Sequence, residues 1–383
     1  MPDRASLEET SSLIDLRDAL TDTSGLFRTN WTQNTDVCTW RGVTCSYSGV
    51  TLLNLRGKDL KGELPEDVIT RLPNLHALYL QGNRITGNFK LGEILKTCKK
   101  IKAIYLDSGN HFKGNFGVEE GQRLYASELR VLNLANNQLD GPLPSFASMD
   151  ALEEIDLRGN DFKGRLHPSV FELKNLRTLH VQHNSLVGDL PTTAPKKKRR
   201  FPKALKAFVL SGNSFTGPLP GWLFELAGDT LLDVDLSSNE FTGTVPDSIG
   251  RMPEVKAIDL SHNRLTGKLP TTFDIATALE FINLEHNRLR GDVPEQLGEL
   301  FKLKSINIGN NLFSGELSLE LASAPQLSEL VVENNWDLCG LVDKKGDERV
   351  AKLRRIMRST EGTAIGMDCE RLSGFVSRDP DEL

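Results

Sequence analysis

Residues 258–270 read IDLSHNRLTGKLP, residues 282–294 read INLEHNRLRGDVP, and residues 306–317 read INIGNNLFSGEL. One pattern fits all three, and it sets Asn263, Asn287 and Asn311 at intervals of 24 residues. Upstream the pattern recurs around Asn239, Asn213, Asn184, Asn160, Asn137 and Asn83. Residues 106–116 (LDSGNHFKGNF) carry one extra residue before Asn110, and LVVENN closes the series at Asn335. The first unit, LLNLRGKDLKGELP at 52–65, has Lys58 where the asparagine belongs. Self-similarity at this period is the mark of a stacked array, here of about twelve turns.

Each part of the unit has a physical role. The L-x-L core alternates with period two and reads as a short strand, with pairs such as Leu132 and Leu134 pointing inward. The asparagine sits where the chain turns in from the strand, and its amide is expected to bond backbone groups of adjoining turns. Left unpaired in the interior it would cost about 1–3 kcal/mol, so the column has to form a continuous ladder. Lys58 fits at the end of the column, where a turn has only one neighbour. The L/F-x-G-x-L/V-P segment is expected to turn the convex side, through glycine's wide dihedral range and the inability of proline to extend a helix. No turn can bury its own apolar face; stacking does that, each buried Leu or Ile contributing about 1.5–3 kcal/mol.

Composition bounds the rest. The chain has 383 residues, 38% hydrophobic and 26% charged, with a formal net charge of −6. That is a folded, water-compatible composition whose acidity argues against nucleic acid as the main partner. No stretch reaches the roughly 20 apolar residues of a membrane helix. The first ten residues, MPDRASLEET, are polar and lack the apolar core of a secretory signal peptide. Five cysteines are present. Cys38 and Cys45 lie near the start, Cys339 and Cys369 near the end, and Cys98 between, which reads as a staple at each end plus one spare thiol.

The period, with G-x-L-P after the asparagine, resembles the plant-specific class of leucine-rich repeats. LIDLRDALTDTSGLFRTNW followed by DVCTWRGVTC is similar to that family's N-terminal cap: an amphipathic helix, Trp31, and a C-x6-C pair enclosing Trp40, Gly42 and Val43. Receptor-like kinase ectodomains, receptor-like proteins and polygalacturonase-inhibiting proteins share these features. The resemblance covers roughly residues 10–340. It implies an α/β solenoid, a right-handed leucine-rich-repeat superhelix with a parallel concave sheet and caps at both ends. The organisation expected is a cap at 1–49, repeats at 50–336, and a C-terminal cap and tail at 337–383. The resemblance also implies recognition of a protein or peptide outside the cell. Cys38 and Cys45 are then expected to be bonded, zinc being the alternative that lacks two further ligands. Cys339 is expected to bond Cys369, about 30 residues on, where the family more often closes that loop within a few residues. Asn30, in Asn30-Trp31-Thr32, is the one glycosylation sequon.

The candidate binding surface is the row of outward strand positions flanking each inward L-x-L pair. Tyr79, Tyr105, Asp107, Glu154, Asp156, His180, Asp233, Asp235, Asp259 and Glu285 fall there, against few basic residues, chiefly Arg56 and Arg158. Such a face suits a protein or peptide with a basic surface, the tyrosines adding contact area of the kind enriched in interfaces. A solvated acidic face that only aids solubility is the plainer alternative. His262 and His286 fall at one position of adjacent turns beside Glu285; surface histidines are expected there, not a metal site. Cys98 reads as a buried thiol. No cofactor is implied. No catalytic motif is present either: there is no P-loop, G-x-S-x-G or H-E-x-x-H, and the acids are strung along a ladder instead of gathered in a pocket. Residues 195–200 (PKKKRR) are similar to a nuclear-import signal, with an exposed charged loop as the plainer reading. A nuclear or cytoplasmic scaffold is therefore the alternative to the secretory route. The C-terminal PDEL resembles an endoplasmic-reticulum retrieval tetrapeptide in a form that proline makes unusual.

Overall fold

A computed structural model of the chain describes residues 5–23, 25–32, 35–195, 201–342 and 346–372. The basic residues 196–200 and the C-terminal residues 380–383 lie outside them. The chain divides into two compact units: residues 1–189 with 195–214, and residues 190–194 with 215–383.

The first unit opens with the helix Leu7–Ala19. Ser6 and Glu9 cap it reciprocally, and the second oxygen of Glu9 accepts Val50 N–H at 3.0 Å, tying the helix to the first repeat strand. Trp31 stacks on Trp40 with ring centroids 4.7 Å apart, both fully buried, and Cys38 is bonded to Cys45 beside them. The antiparallel hairpin Val43–Ser46 with Gly49–Asn54 starts the strand face. Parallel strands Ala77–Tyr79, Ala103–Tyr105, Val131–Asn133, Glu154–Asp156, Thr178–His180 and Ala207–Val209 follow in register. Leu53, Leu78, Ile104, Leu132, Ile155, Leu179 and Phe208 form the inward column, all at most 1% exposed.

In the second unit the strands are Asp233–Asp235, Ala257–Asp259, Phe281–Asn283, Ser305–Asn307 and Glu329–Val331, again parallel and in register. Short 3₁₀ helices line its opposite side, at Asp247–Arg251, Thr272–Ile275, Glu295–Glu299 and Leu319–Ser323. Strand Asn335–Gly340 pairs with Thr363–Ile365, and helix Glu348–Ile356 buries Val350 and Leu353. The disulfide Cys339–Cys369 closes this end.

The asparagine column forms the ladder. The Nδ2 of Asn160 donates to Leu134, Leu157 and Arg158 carbonyls at 2.9–3.2 Å, and its Oδ1 accepts Leu139 N–H at 3.1 Å. Asn263 repeats this with Leu236, Leu260, Ser261 and Phe241 at 3.0–3.1 Å. At the first turn, Lys58 N–H donates to Asn83 Oδ1 at 3.0 Å, so backbone alone completes the ladder where the side chain is lysine.

Two features differ from the sequence expectation. The L/F-x-G segment is more than a convex turn: it builds a second parallel sheet in each unit. Lys61, Gly62 and Glu63 pair with Arg84, Ile85 and Thr86, and Ser314, Gly315 and Glu316 with Asp337, Leu338 and Cys339. Its glycine is required by the close approach of the preceding turn; a Cβ on Gly87 (φ 115°) would lie 2.9 Å from Leu64 O. Pro142, two residues before the motif proline Pro144, itself sits in register with Lys163. Secondly, the residue before each ladder asparagine is left-handed, including His183, His262, His286, Asn310 and Asn334 at φ 52–54°. This backbone demand explains the run of Gly, Asn, Ser and His at that position.

Candidate functional site

Strand register brings the expected outward residues of the first unit into rows. Asn54, Tyr79, Tyr105, Asn133, Asp156 and His180 share one row. The Tyr79 and Tyr105 rings stack at 5.2 Å between centroids, 12° from parallel. Asp107 stands two residues beyond Tyr105 and accepts its neighbour Ser108 Oγ at 2.6 Å. Asp156 faces the same way but is only 4% exposed, covered by Arg158 at 3.4 Å and His180 at 3.9 Å. It therefore shapes this surface more than it presents itself.

The electrostatics of this patch are unbalanced. Burial pushes the Glu154 carboxyl above the usual carboxylate range. Asp156 and Asp107 push the same way, and His180 and Arg158 only partly offset them. Burial, followed by the charge of Glu154, likewise raises the Tyr105 phenol. Gln81, two residues beyond Tyr79, is buried, and its Oε1 has no hydrogen-bond partner, as does Gln182 Oε1. Neither glutamine stands out in the sequence, because nothing in a polar outward position signals that its amide oxygen will be covered.

In the second unit the acids are held by local donors. Asp235 Oδ1 accepts Ser237 N–H at 3.1 Å and Ser237 Oγ at 2.7 Å. Asp259 repeats this with Ser261 at 2.9 and 2.6 Å and also accepts Asn283 Nδ2 at 3.1 Å. Glu285 takes Asn307 Nδ2 at 2.8 Å and Asn310 Nδ2 at 3.3 Å. Asp233 is exposed at the strand start, and half-exposed Phe281 lies under Lys304 Nζ, 5.6 Å from its ring centroid. His262 and His286 stack with centroids 4.4 Å apart, and His286 Nε2 is 3.4 Å from Glu285. Among the described residues no three His, Cys, Asp or Glu side chains are grouped to hold a metal.

Cys98 is fully buried at the end of helix Leu91–Thr97, its Sγ–H directed at Leu72 O at 3.4 Å, and burial pushes its thiol up to about 12. Asn30 is half-exposed; its Oδ1 accepts Arg41 N–H. No helix among the described residues is long and apolar enough to cross a membrane.

Residues 6–46 match the leucine-rich-repeat N-terminal domain, and residues 128–149 and 229–289 match leucine-rich repeats. Receptor-like protein 18 of Arabidopsis thaliana is 30% identical over 195 residues, 51% of this chain. The matched part spans 22% of that relative's own length. Among solved structures, that of a TDR receptor is similar with TM-score 0.66 and 24% identity, over 82% of this chain and 55% of the other. The plant peptide hormone receptor RGFR1 in complex with RGF2 is similar with TM-score 0.62 and 25% identity, over 80% and 50%. The kinases among the relatives match through their repeat regions. With its N-terminal domain, asparagine ladder and strand face in place, the chain carries leucine-rich repeats behind a leucine-rich-repeat N-terminal domain, is similar to plant receptor-like proteins, and has the fold of plant leucine-rich-repeat receptor ectodomains.

Proposed function

We propose that this chain is a recognition module that binds a protein or peptide with a basic surface on the strand face of its first unit. The observation that carries the reading is the stacked Tyr79–Tyr105 pair set beside Asp107, Glu154 and Asp156. A lysine or arginine placed there would pair with Glu154 while its stem packs on the tyrosine edges. His180 belongs to the rim of this patch. Asp233, Asp235, Asp259 and Glu285 form a separate acidic surface on the second unit. The peptide complex of RGFR1, at 25% identity, supports a peptide as the ligand class. The two disulfides and the receptor-like relatives support the secretory route, with Asn30 as the glycan acceptor.

The test is selection of random 12-residue displayed peptides on the immobilised chain, repeated with an Asp107→Lys/Glu154→Lys variant. Lysine- and arginine-rich peptides that bind at least about tenfold more weakly to the variant are expected. Selected peptides without basic enrichment, or binding indifferent to the double reversal, would overturn the reading. Intact mass with thiols blocked, before and after reduction, checks the route: two disulfides and glycan mass on Asn30 are expected, and five free thiols without glycan would refute it.

A further inference from the structure

The 3₁₀ side of the second unit carries a groove that the strand-face reading does not use. Helices Thr272–Ile275, Glu295–Glu299 and Leu319–Ser323 belong to successive turns. Gly298 lets two of them close tightly, since a Cβ there would fall 2.0 Å from Glu320 O. Over them lies a groove of about 640 Å³ bordered by Asp274, Glu295, Glu299, Phe301, Glu320 and Pro325. Phe301 is 73% exposed, a large ring left in water. Asp274, Glu295 and Glu299 are exposed and form no salt bridge among the described residues.

The chain itself shows what chemistry this row accepts. Helix Glu348–Ile356 docks on the last 3₁₀ turn through basic side chains: Arg349 reaches Glu320 at 3.4 Å, and Lys352 Nζ donates to the carbonyls of Ala322 and Ala324 at 2.5 and 2.7 Å. The groove continues the same surface with unpaired carboxylates and an aromatic ring. A guanidinium over Phe301 would gain a cation–π contact, cover the ring with its stem, and neutralise the flanking acids. A neutral apolar partner would cover the ring yet leave the carboxylates poorly hydrated and unpaired.

We propose that this groove is a second docking site, for a partner-protein segment that presents arginine or lysine next to an apolar side chain, and that it works independently of the strand face. The probe is a synthetic (LRRL)3 peptide carrying a benzophenone, photo-crosslinked to the full chain and mapped by mass spectrometry, with (LEEL)3 as control. Crosslinks are expected in residues 272–301 and 320–325. Asp274→Lys/Glu299→Lys and, separately, Phe301→Ala should each weaken binding at this site by about fivefold or more; both change exposed residues only. Asp107→Lys/Glu154→Lys should leave these crosslinks in place, so failure of the strand-face reading would not carry this one with it. Crosslinks confined to the strand face, equal capture of (LEEL)3, or an unchanged affinity in both groove variants would overturn the proposal.

Discussion

The two strand faces use the same repeat positions and many of the same residue types, yet they treat charge differently. In the second unit, Asp235 and Asp259 each accept two bonds from the serine two residues on, and Glu285 is clasped by two asparagines. Those acids are spent on stiffening their own turn or tying it to the next. In the first unit, alanine stands where that serine would follow Asn133, arginine where it would follow Asp156, and glutamine where it would follow Tyr79. Asp107 is held by the Ser108 hydroxyl and Asp156 by Arg158 and His180, while Glu154 stays under the charge of both acids beside two tyrosines. Acidity read along a repeat is therefore not the same as acidity available to a ligand; the neighbour two residues on decides which it is.

The sharpest way to test what the faces share is to break the ladder in each. Asn160→Ala and Asn263→Ala each remove four bonds from a buried amide and strand backbone groups in two turns. Each should cost about 3 kcal/mol in denaturant unfolding. A cost below about 1 kcal/mol in either would mean that the ladder does not support that unit. The next comparison separates the faces. Asp259→Ala loses three bonds and should cost about 1 kcal/mol of stability, with little effect on a basic peptide. Asp107→Lys/Glu154→Lys should do the reverse, abolishing most of the binding at little cost in stability. If the second-unit variant lost the peptide and the first-unit variant kept it, the binding assignment would have to move.

How much of this was legible in the sequence follows from what each residue had to satisfy. The ladder was readable because an interior amide admits one solution, repeated at every turn. Tyr79, Tyr105 and the outward acids were readable because period-two alternation fixes their side of the strand. The second sheet was not, because a glycine required by a neighbouring turn looks in sequence like a glycine required by a bend. The left-handed position was legible only as polar: His262 and His286 read as surface histidines, and the backbone geometry that selects such residues there leaves no mark in a single turn. Asp156 stands in the outward row, yet Arg158 and His180 cover it from their own positions through rotamers that no pattern encodes. The groove around Phe301 was missed for a related reason: its walls come from turns about 24 residues apart, and the pattern there is loose.

The smallest expected effect is the most specific to the first face. Burial, with Asp156 and Asp107, raises the Glu154 carboxyl above its ordinary range, so between its ordinary and its raised value the folded chain holds more proton than the unfolded one. This group's contribution to stability is then fully present at low pH and declines as pH rises through that window. A cationic ligand lowers the same carboxyl again and expels the proton, so affinity for a basic peptide must rise with pH across the window. Through this side chain stability and affinity slope in opposite directions. Glu154→Gln should remove this contribution from both, making the affinity slope shallower, measured as unfolding midpoints and peptide affinities from pH 4 to pH 8, while leaving the fold intact. If the variant kept the affinity slope of the parent chain, the proton would be leaving some other group, and Glu154 would be a bystander to the ligand.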